Sequence, residues 1–409
     1  MLVLTGAGGF VGTQLVPRLA ERSGRSLLLV SRDPAALQAR FPDIRSCDHD
    51  ALRNVDLTGA TFVHLATRNN DRPGTPEEFR AANVDHLLRT AAIARDGGAA
   101  QFINLCSVHA LQPAADDLYG TSKREGAEQL AAFWPGGATN LYLPAVYGGR
   151  FQGRLGVLNR VPGFARSGVL ALLRQLKPMI SIDRLAAELI ALVERGPTSA
   201  DDRWQSARFA ADPVPAMGLY STTKRAIDLI AAVAVVILLG WAMVLVALYV
   251  RFDSKGPAIF AQQRVGKQGK VFTCYKFRTM AVGTVQAGTH DVSAAVITGA
   301  GGFLRRTKLD ELPQVWNVLR NEMSLVGPRP CLPMQTALVG ARGARGVLEL
   351  KPGITGLAQI NDVDMSDPAR LAAWDDRYGA FRTLMLDCVI LIRTVLGGGV
   401  GDRVADPAS

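Results

Sequence analysis

The sequence predicts an α/β protein in two halves joined by a helix of membrane length. Three observations carry this. The chain opens on an apolar strand pattern, MLVLT, that runs into Gly6, Gly9 and Gly12 and then a helical pattern. Behind it, short apolar runs alternate with amphipathic ones as far as residue 143. Far downstream, Leu229 to Val250 holds no charge. At about 1.5 Å per residue that run could cross a hydrocarbon core of about 30 Å. The first two point to a Rossmann-type doubly wound sheet. The third points to a membrane-embedded helix, with a smaller α/β unit after it.

In the N-terminal half the glycine spacing is GxxGxxG. Glycines there permit a tight turn and close backbone approach, so a pyrophosphate can sit on the helix N-terminus. Strands are predicted at 27–32, 61–66, 101–107 and 139–143, with helices at Pro76 to Arg95 and Tyr119 to Phe133 between them. Ser107 ends a strand, and Tyr119 and Lys123, four apart, share a helix face. A lysine ammonium is expected to lower the phenol pKa into a useful acid/base range, while the serine holds the reacting oxygen. Thr298 to Phe303 repeats TGAGGF, but Arg305 stands where a third glycine would be, so this copy is read as a turn.

Together TGAGGFVG, FVHLA, Asn83-Val84, LCSVHA, YGTSK and LPAVYG resemble the extended short-chain dehydrogenase/reductase family, the nucleotide-sugar epimerases, dehydratases and reductases. The resemblance covers residues 1 to about 150. It implies NAD(P) binding through Gly6, Gly9, Phe10, Gly12, Arg32, Asp48 and Ala66, with Ser107, Tyr119 and Lys123 catalytic. Ser31-Arg32 replaces the acid that NAD-type members carry after the second strand, which favours NADP over NAD. Leu143 replaces the usual arginine of RPxxVYG, and the substrate part, about 150–212, is small.

Composition narrows the second half. Net charge is +10, and residues 220–409 carry 22 Lys and Arg against 15 Asp and Glu. Basic excess beside an apolar run suits anionic lipid headgroups or phosphorylated substrates. No nucleic-acid motif is present, so no nucleic-acid partner is expected. The five scattered cysteines lack metal-ligand spacing and read as reduced cytosolic thiols, and no signal peptide is expected ahead of the first strand. Residues 254–280 read as a β-hairpin turning at 266–269, with Lys276 and Arg278 on one face to meet a phosphate. In FLRRTKLDELPQVWNVL, Asp310 is either an N-cap or, with Glu311 among Arg305, Arg306, Lys308 and Arg329, part of a Mg²⁺-assisted phosphoryl-transfer site. WDDRY at 374–378 adds two acids, and 381–396 reads as one amphipathic helix, either core or interfacial.

Lys224-Arg225…Asp228, DSKGPAIF, QQRVGKQGK, YKFRTM, LDELPQVWNVL, MSLVGPRP and KPGITGLAQIN resemble the bacterial sugar transferases, the monotopic phosphoglycosyl transferases, over about 220–400. The resemblance implies transfer of a sugar phosphate from a UDP-sugar to polyprenol (undecaprenyl) phosphate with release of UMP. Asp310 would be the nucleophile, Glu311 its partner, Mg²⁺ the required ion held by both, and Lys276, Arg278, Arg305 and Arg329 the phosphate-facing cations. Gly240-Trp241 stands where the family has a Ser-Pro helix break.

The expected organisation is a nucleotide-sugar-modifying domain at 1–212, a linker at 213–225, a re-entrant membrane helix at 226–252 bent near Gly240, and the transferase domain with interfacial helices at 253–409. NADP and UDP-sugars are cytosolic. Both halves are therefore expected on the cytoplasmic side of a bacterial inner membrane, in contact with its lipids, with a homodimer as the candidate assembly. For the front half the expectation is NADP-dependent reduction of a UDP-4-keto sugar. A UDP-HexNAc 4-epimerase and a silent nucleotide-sugar-binding module are the alternatives.

Overall fold

The computed structural model describes residues 1–71, 73–112, 114, 116–148, 153–197, 206–213, 218–284 and 297–397. The chain forms two compact units, Met1–Pro213 and Val214–Ser409. Residues 214–217 of the expected linker lie outside the described residues.

The first unit alternates strand and helix: β1 (Leu2–Thr5), α1 (Phe10–Arg22), β2 (Leu27–Val30), α2 (Pro34–Arg40), β3 (Arg45–Cys47), β4 (Thr61–His64), α3 (Pro76–Arg80), α4 (His86–Asp96), β5 (Gln101–Ser107), α5 (Leu118–Phe133) and β6 (Ala138–Leu143). The short β7 (Ala145–Tyr147), α6 (Gly163–Leu176), β8 (Met179–Ser181), α7 (Ile182–Arg195) and β9 (Ala207–Phe209) follow. Seven strands make one parallel sheet in the order β3-β2-β1-β4-β5-β6-β9. β7 pairs with β8 outside it. The sheet is covered on both faces because side chains alternate along each strand. Leu2 and Leu4 of β1 pack with Leu15 and Leu19 of α1 and with Leu185 and Leu189 of α7. Val3 faces the other way, into a layer with Phe62, Phe102, Leu87 and Ala91. The predicted helix 76–95 is divided by a π-helical stretch at Ala81–Asp85.

The second unit begins with α8 (Leu219–Asp253), followed by β10 (Ile259–Val265), β11 (Val271–Phe277), α9 (Gly299–Thr307), α10 (Val315–Leu319), β12 (Ser324–Val326), α11 (Thr336–Ala344), β13 (Gly353–Thr355), α12 (Pro368–Phe381) and α13 (Leu384–Val395). β10 and β11 form the expected antiparallel hairpin, turning through Gln268 and Gly269 at positive φ. β12 and β13 pair in parallel.

α8 is longer than expected at both ends. Residues 219–225, read as linker, are helical, because side chains of the first turns are held by the unit itself. Lys224 Nζ donates to Asp387 at 2.7 Å, Arg225 Nη1 to the Val318 carbonyl at 2.8 Å, and Asp228 accepts from Ser324 Oγ and from the Leu325 amide. The expected bend near Gly240 is not a break in the helix: α8 contains no proline and is helical through Gly240. Between its ends α8 is apolar and exposed, with 6 % of its most apolar window buried. Both ends dock on the same unit. Ala232 and Val235 pack with Val315 and Val318, while Met243, Ala247 and Val250 pack with Phe277 and Leu304. The expected amphipathic helix at 381–396 is α13, which starts at Leu384 because the Thr383 hydroxyl caps it by accepting from the Leu386 amide. α13 leaves Met385, Val389, Ile392 and Leu396 exposed along one stripe.

Candidate functional site

In the first unit the glycine turn is built as the spacing requires. Gly6 has φ +73°, and a Cβ there would lie 2.5 Å from the Ala66 amide nitrogen. A Cβ on Gly12 would meet the Gly6 carbonyl at 2.5 Å. The turn therefore packs directly on the strand end at Ala66 and on the first turn of α1. Gly9 is the N-cap of α1 and supplies no side-chain cap, so the amides that open the helix at Phe10 face outward for an anion. Arg32 is exposed just past β2. Asp33, the nearest acid, is committed elsewhere: its Oδ1 accepts from the Ala36 amide and caps α2. Asp48 is exposed after β3 and folds its own turn, accepting from the Asp50 and Ala51 amides.

Ser107 at the end of β5 and Tyr119 on α5 are near neighbours, and the serine hydroxyl favours the ionised phenol. Lys123 is buried and donates its ammonium to the Leu105 carbonyl at 2.8 Å. This corrects the expected electrostatics. The Tyr119 phenol is raised by burial rather than lowered. Burial pushes that phenol up to about 12, against the opposing influence of the Ser107 hydroxyl. Burial also lowers the Lys123 ammonium from its ordinary value.

Two residues that the sequence reading passed over complete this corner. His109, in the turn after Ser107, has its ring centroid 6.0 Å from that of Tyr119. Its Nδ1 lies 3.1 Å from Asp117 Oδ2. Asp117 also caps α5 through the Gly120 amide and accepts from Asn70. Burial would raise the Asp117 carboxyl, but the Gly120, Asn70 and His109 hydrogen bonds outweigh it and hold the pKa below the usual range. LCSVHA carried the histidine in plain view, yet its partner sits eight residues on and no local spacing links them. Asn83 is a brace: it joins the Arg68 backbone to Ser122 Oγ.

In the second unit the LDELP segment forms a 3₁₀ turn (Leu309–Gln314) between α9 and α10, entered through Lys308 at φ +59°. The N-cap of that turn is Lys308 and that of α10 is Gln314, so Asp310 lies within the turn and is the N-cap of neither. Asp310 is buried and lines a cavity of about 370 Å³ together with Gln262, Arg264, Lys276, Arg278 and Arg305. Glu311 Oε1 is clamped by two cations, Lys276 Nζ at 2.9 Å and Arg329 Nη2 at 2.8 Å.

The four expected phosphate-facing cations divide into two pairs. Lys276 and Arg329 hold Glu311. Arg278 does not stay beside Lys276: its Nη2 donates to the Ser254 carbonyl at 2.7 Å and to the Val250 carbonyl, tying off the end of α8. Arg305 donates through Nε to Thr279 Oγ1. Arg278 Nε and Nη1 and Arg305 Nη1 are buried without a partner in a cavity-lining position, which suits an anionic ligand. Thr298 caps α9, and Gly301 allows that helix to close on Thr279, so the second TGAGGF is a packing turn. The loop carrying Arg329 is held from behind: Arg342 donates to the Arg329 carbonyl and pairs with buried Asp375 at 2.7 Å, and Arg264 donates to the Pro330 carbonyl. Asp375 and Asp376 of WDDRY are thus bonded to Arg342 and Arg345. Among the described residues no three His, Cys, Asp or Glu converge as a metal cage.

Residues 219–398 match the family model for bacterial sugar transferases, and residues 2–175 match that of the NAD dependent epimerase/dehydratase family. An undecaprenyl-phosphate glucose phosphotransferase of Komagataeibacter xylinus is 38 % identical over 192 residues, 42 % of this chain and 35 % of that protein. The Bacillus subtilis protein described as uncharacterized sugar transferase EpsL is 35 % identical over 181 residues, 43 % of this chain and 89 % of its own length. The matched region spans between about a third and two-fifths of several longer curated relatives. The solved structure of the Bordetella bronchiseptica enzyme WbmG in complex with NAD is 17 % identical, covering 51 % of this chain and 72 % of that one, with a TM-score of 0.37.

Proposed function

Because the chain belongs, through residues 219–398, to the bacterial sugar transferase family, we propose that its second unit moves a sugar phosphate from a UDP-sugar to polyprenol phosphate. The observation that carries this reading is the buried Asp310 in a cation-lined cavity beside a clamped Glu311. The Asp310 carboxylate attacks the phosphorus that bears the sugar, and the bond to UMP breaks. A phosphate oxygen of the polyprenol phosphate then attacks the same phosphorus and releases Asp310. The cations on the cavity wall balance charge on the transferring group. Asp310 and Glu311 fit Mg²⁺ held jointly with substrate phosphates, the usual arrangement for an ion that keeps few protein ligands. Bound there, Mg²⁺ would neutralise phosphate charge.

The first unit is proposed to reduce a UDP-4-keto sugar with NADPH. The glycine turn fits a dinucleotide pyrophosphate, and exposed Arg32 with Asp33 committed to its helix cap favours a 2′-phosphate. A Tyr119 phenol pushed up to about 12 stays protonated at neutral pH, so it is a proton donor, as carbonyl reduction requires. NADPH oxidation by the full chain over a panel of UDP-4-keto sugars tests this. Interconversion of UDP-HexNAc epimers without cofactor consumption would make the unit an epimerase instead.

Both units are proposed to lie on the cytoplasmic face, with the unbroken α8 held along that face rather than crossing the bilayer. Docking of both ends of α8 on the same unit supports that placement. Cysteines introduced at Thr222 and Lys255 test it in intact cells. Labelling of either by an impermeant reagent from the periplasm contradicts it.

A further inference from the structure

The first unit contains an acid/base pair that reduction does not use. His109 sits two residues past Ser107, and the Ser107 hydroxyl accepts from its amide. Asp117 engages its Nδ1 at 3.1 Å, and that carboxylate is fixed by the Gly120 amide and Asn70. A carboxylate can only accept, so the Nδ1 proton stays on the ring and Nε2 is left as a base. The ring centroid is 6.0 Å from that of Tyr119, and the Ser107 hydroxyl stands near enough to the Tyr119 phenol to favour its ionised form. A ketone held by Tyr119 and Ser107 therefore has an oriented imidazole beside it. The most acidic C–H bonds in such a substrate are those next to the ketone carbon.

We propose that His109, oriented by Asp117, is a second catalytic base of the first unit, removing a proton from a carbon adjacent to the ketone of a nucleotide-linked keto sugar. The proposal rests on the keto-sugar reading given above for this unit. In the step, Nε2 takes the proton and the C–H electron pair becomes the carbon–carbon double bond of an enolate. The negative charge falls on the ketone oxygen, where Tyr119 and Ser107 donate to it. Return of the proton from the imidazolium regenerates the ketone and neutral His109, with no net oxidation. Return to the opposite face inverts that carbon, which makes the unit competent for epimerisation next to the ketone as well as for hydride chemistry at it. Asp117 acts through His109 and is a positioning residue.

The test uses the full chain in detergent, with a UDP-4-keto-6-deoxy-HexNAc as probe, in D₂O with NADP⁺ present. Deuterium entering the positions next to the ketone is followed by proton NMR and mass spectrometry. Wild-type protein is expected to catalyse the exchange well above the protein-free rate. His109→Gln is expected to slow it by about 10²-fold or more, the usual worth of a positioned base. Asp117→Asn retains a capping oxygen for α5 and is expected to slow the exchange at least tenfold. NADPH oxidation measured on the same preparations reports separately on the reductase reading and on folding. Protein-free rates with wild type overturn the proposal even if NADPH is consumed. So does equal exchange by wild type and His109→Gln.

Discussion

Replacing Arg329 with Met removes one of the two cations on Glu311 Oε1 while keeping most of the side-chain stem. The pair is largely shielded, with side chains 15 % and 18 % exposed. A hydrogen bond to a charged group contributes about 1.5–3 kcal/mol. Lys276 remains on the same oxygen at 2.9 Å, so the lower end applies. About 1.5 kcal/mol is roughly a tenfold loss in the rate of UMP release. Lys276→Met should behave alike. The double variant leaves the shared oxygen without either cation in a poorly solvated site, where losses of about 3–5 kcal/mol are usual, so it should fall below the product of the two single effects. The assay is UMP release at saturating UDP-sugar with polyprenol phosphate in mixed micelles, alongside thermal melting to confirm folding. Three variants within twofold of wild type, or single effects that simply multiply, would refute the shared-oxygen clamp.

Gly301→Ala should destabilise the second unit by about 1–3 kcal/mol, because the new Cβ would sit 2.1 Å from the Thr279 carbonyl and only backbone could yield; thermal melting checks it. Asp228→Ala should cost about 3 kcal/mol and loosen the start of α8, since it leaves Ser324 Oγ and the Leu325 amide buried without their acceptor; denaturant melts and proteolysis near residue 228 report it. Burial first, then the neighbouring histidine, pulls His86 down to about 4, and burial pulls His64 well below 6.5. Groups with depressed histidine pKa values give stability that is complete above about 6.5 and lost as pH falls toward 4. Amide exchange of peptides covering 61–96 should therefore lose protection between pH 7 and pH 5, beyond the intrinsic rate change, and His86→Gln should reduce that loss.

The doubly wound sheet was legible because its signals are local: a glycine turn after a strand, and apolar runs that change period. The hairpin at 259–277 was legible for the same reason. What escaped depends on distant partners. Arg342 and Asp375, 33 residues apart, fix the loop that presents Arg329, and nothing in WDDRY announces it. Arg278 shares a strand period with Lys276 but lies just past β11, where the end of α8 captures it. Lys224 and Arg225 fall in the expected linker and Asp228 in the expected membrane helix, yet each reaches into the folded unit. One miss was avoidable: Thr383 is an ordinary N-cap residue and marks the break between α12 and α13.

The central claim is a covalent sugar-phosphate link at Asp310. Full-length protein incubated with UDP-sugar and Mg²⁺, without polyprenol phosphate, is examined by intact mass spectrometry and peptide mapping. The account predicts one sugar phosphate per chain on the peptide that contains Asp310, one equivalent of UMP released, and neither with Asp310→Asn. Wild-type UMP release by Asp310→Asn, or an adduct on another residue, would contradict it.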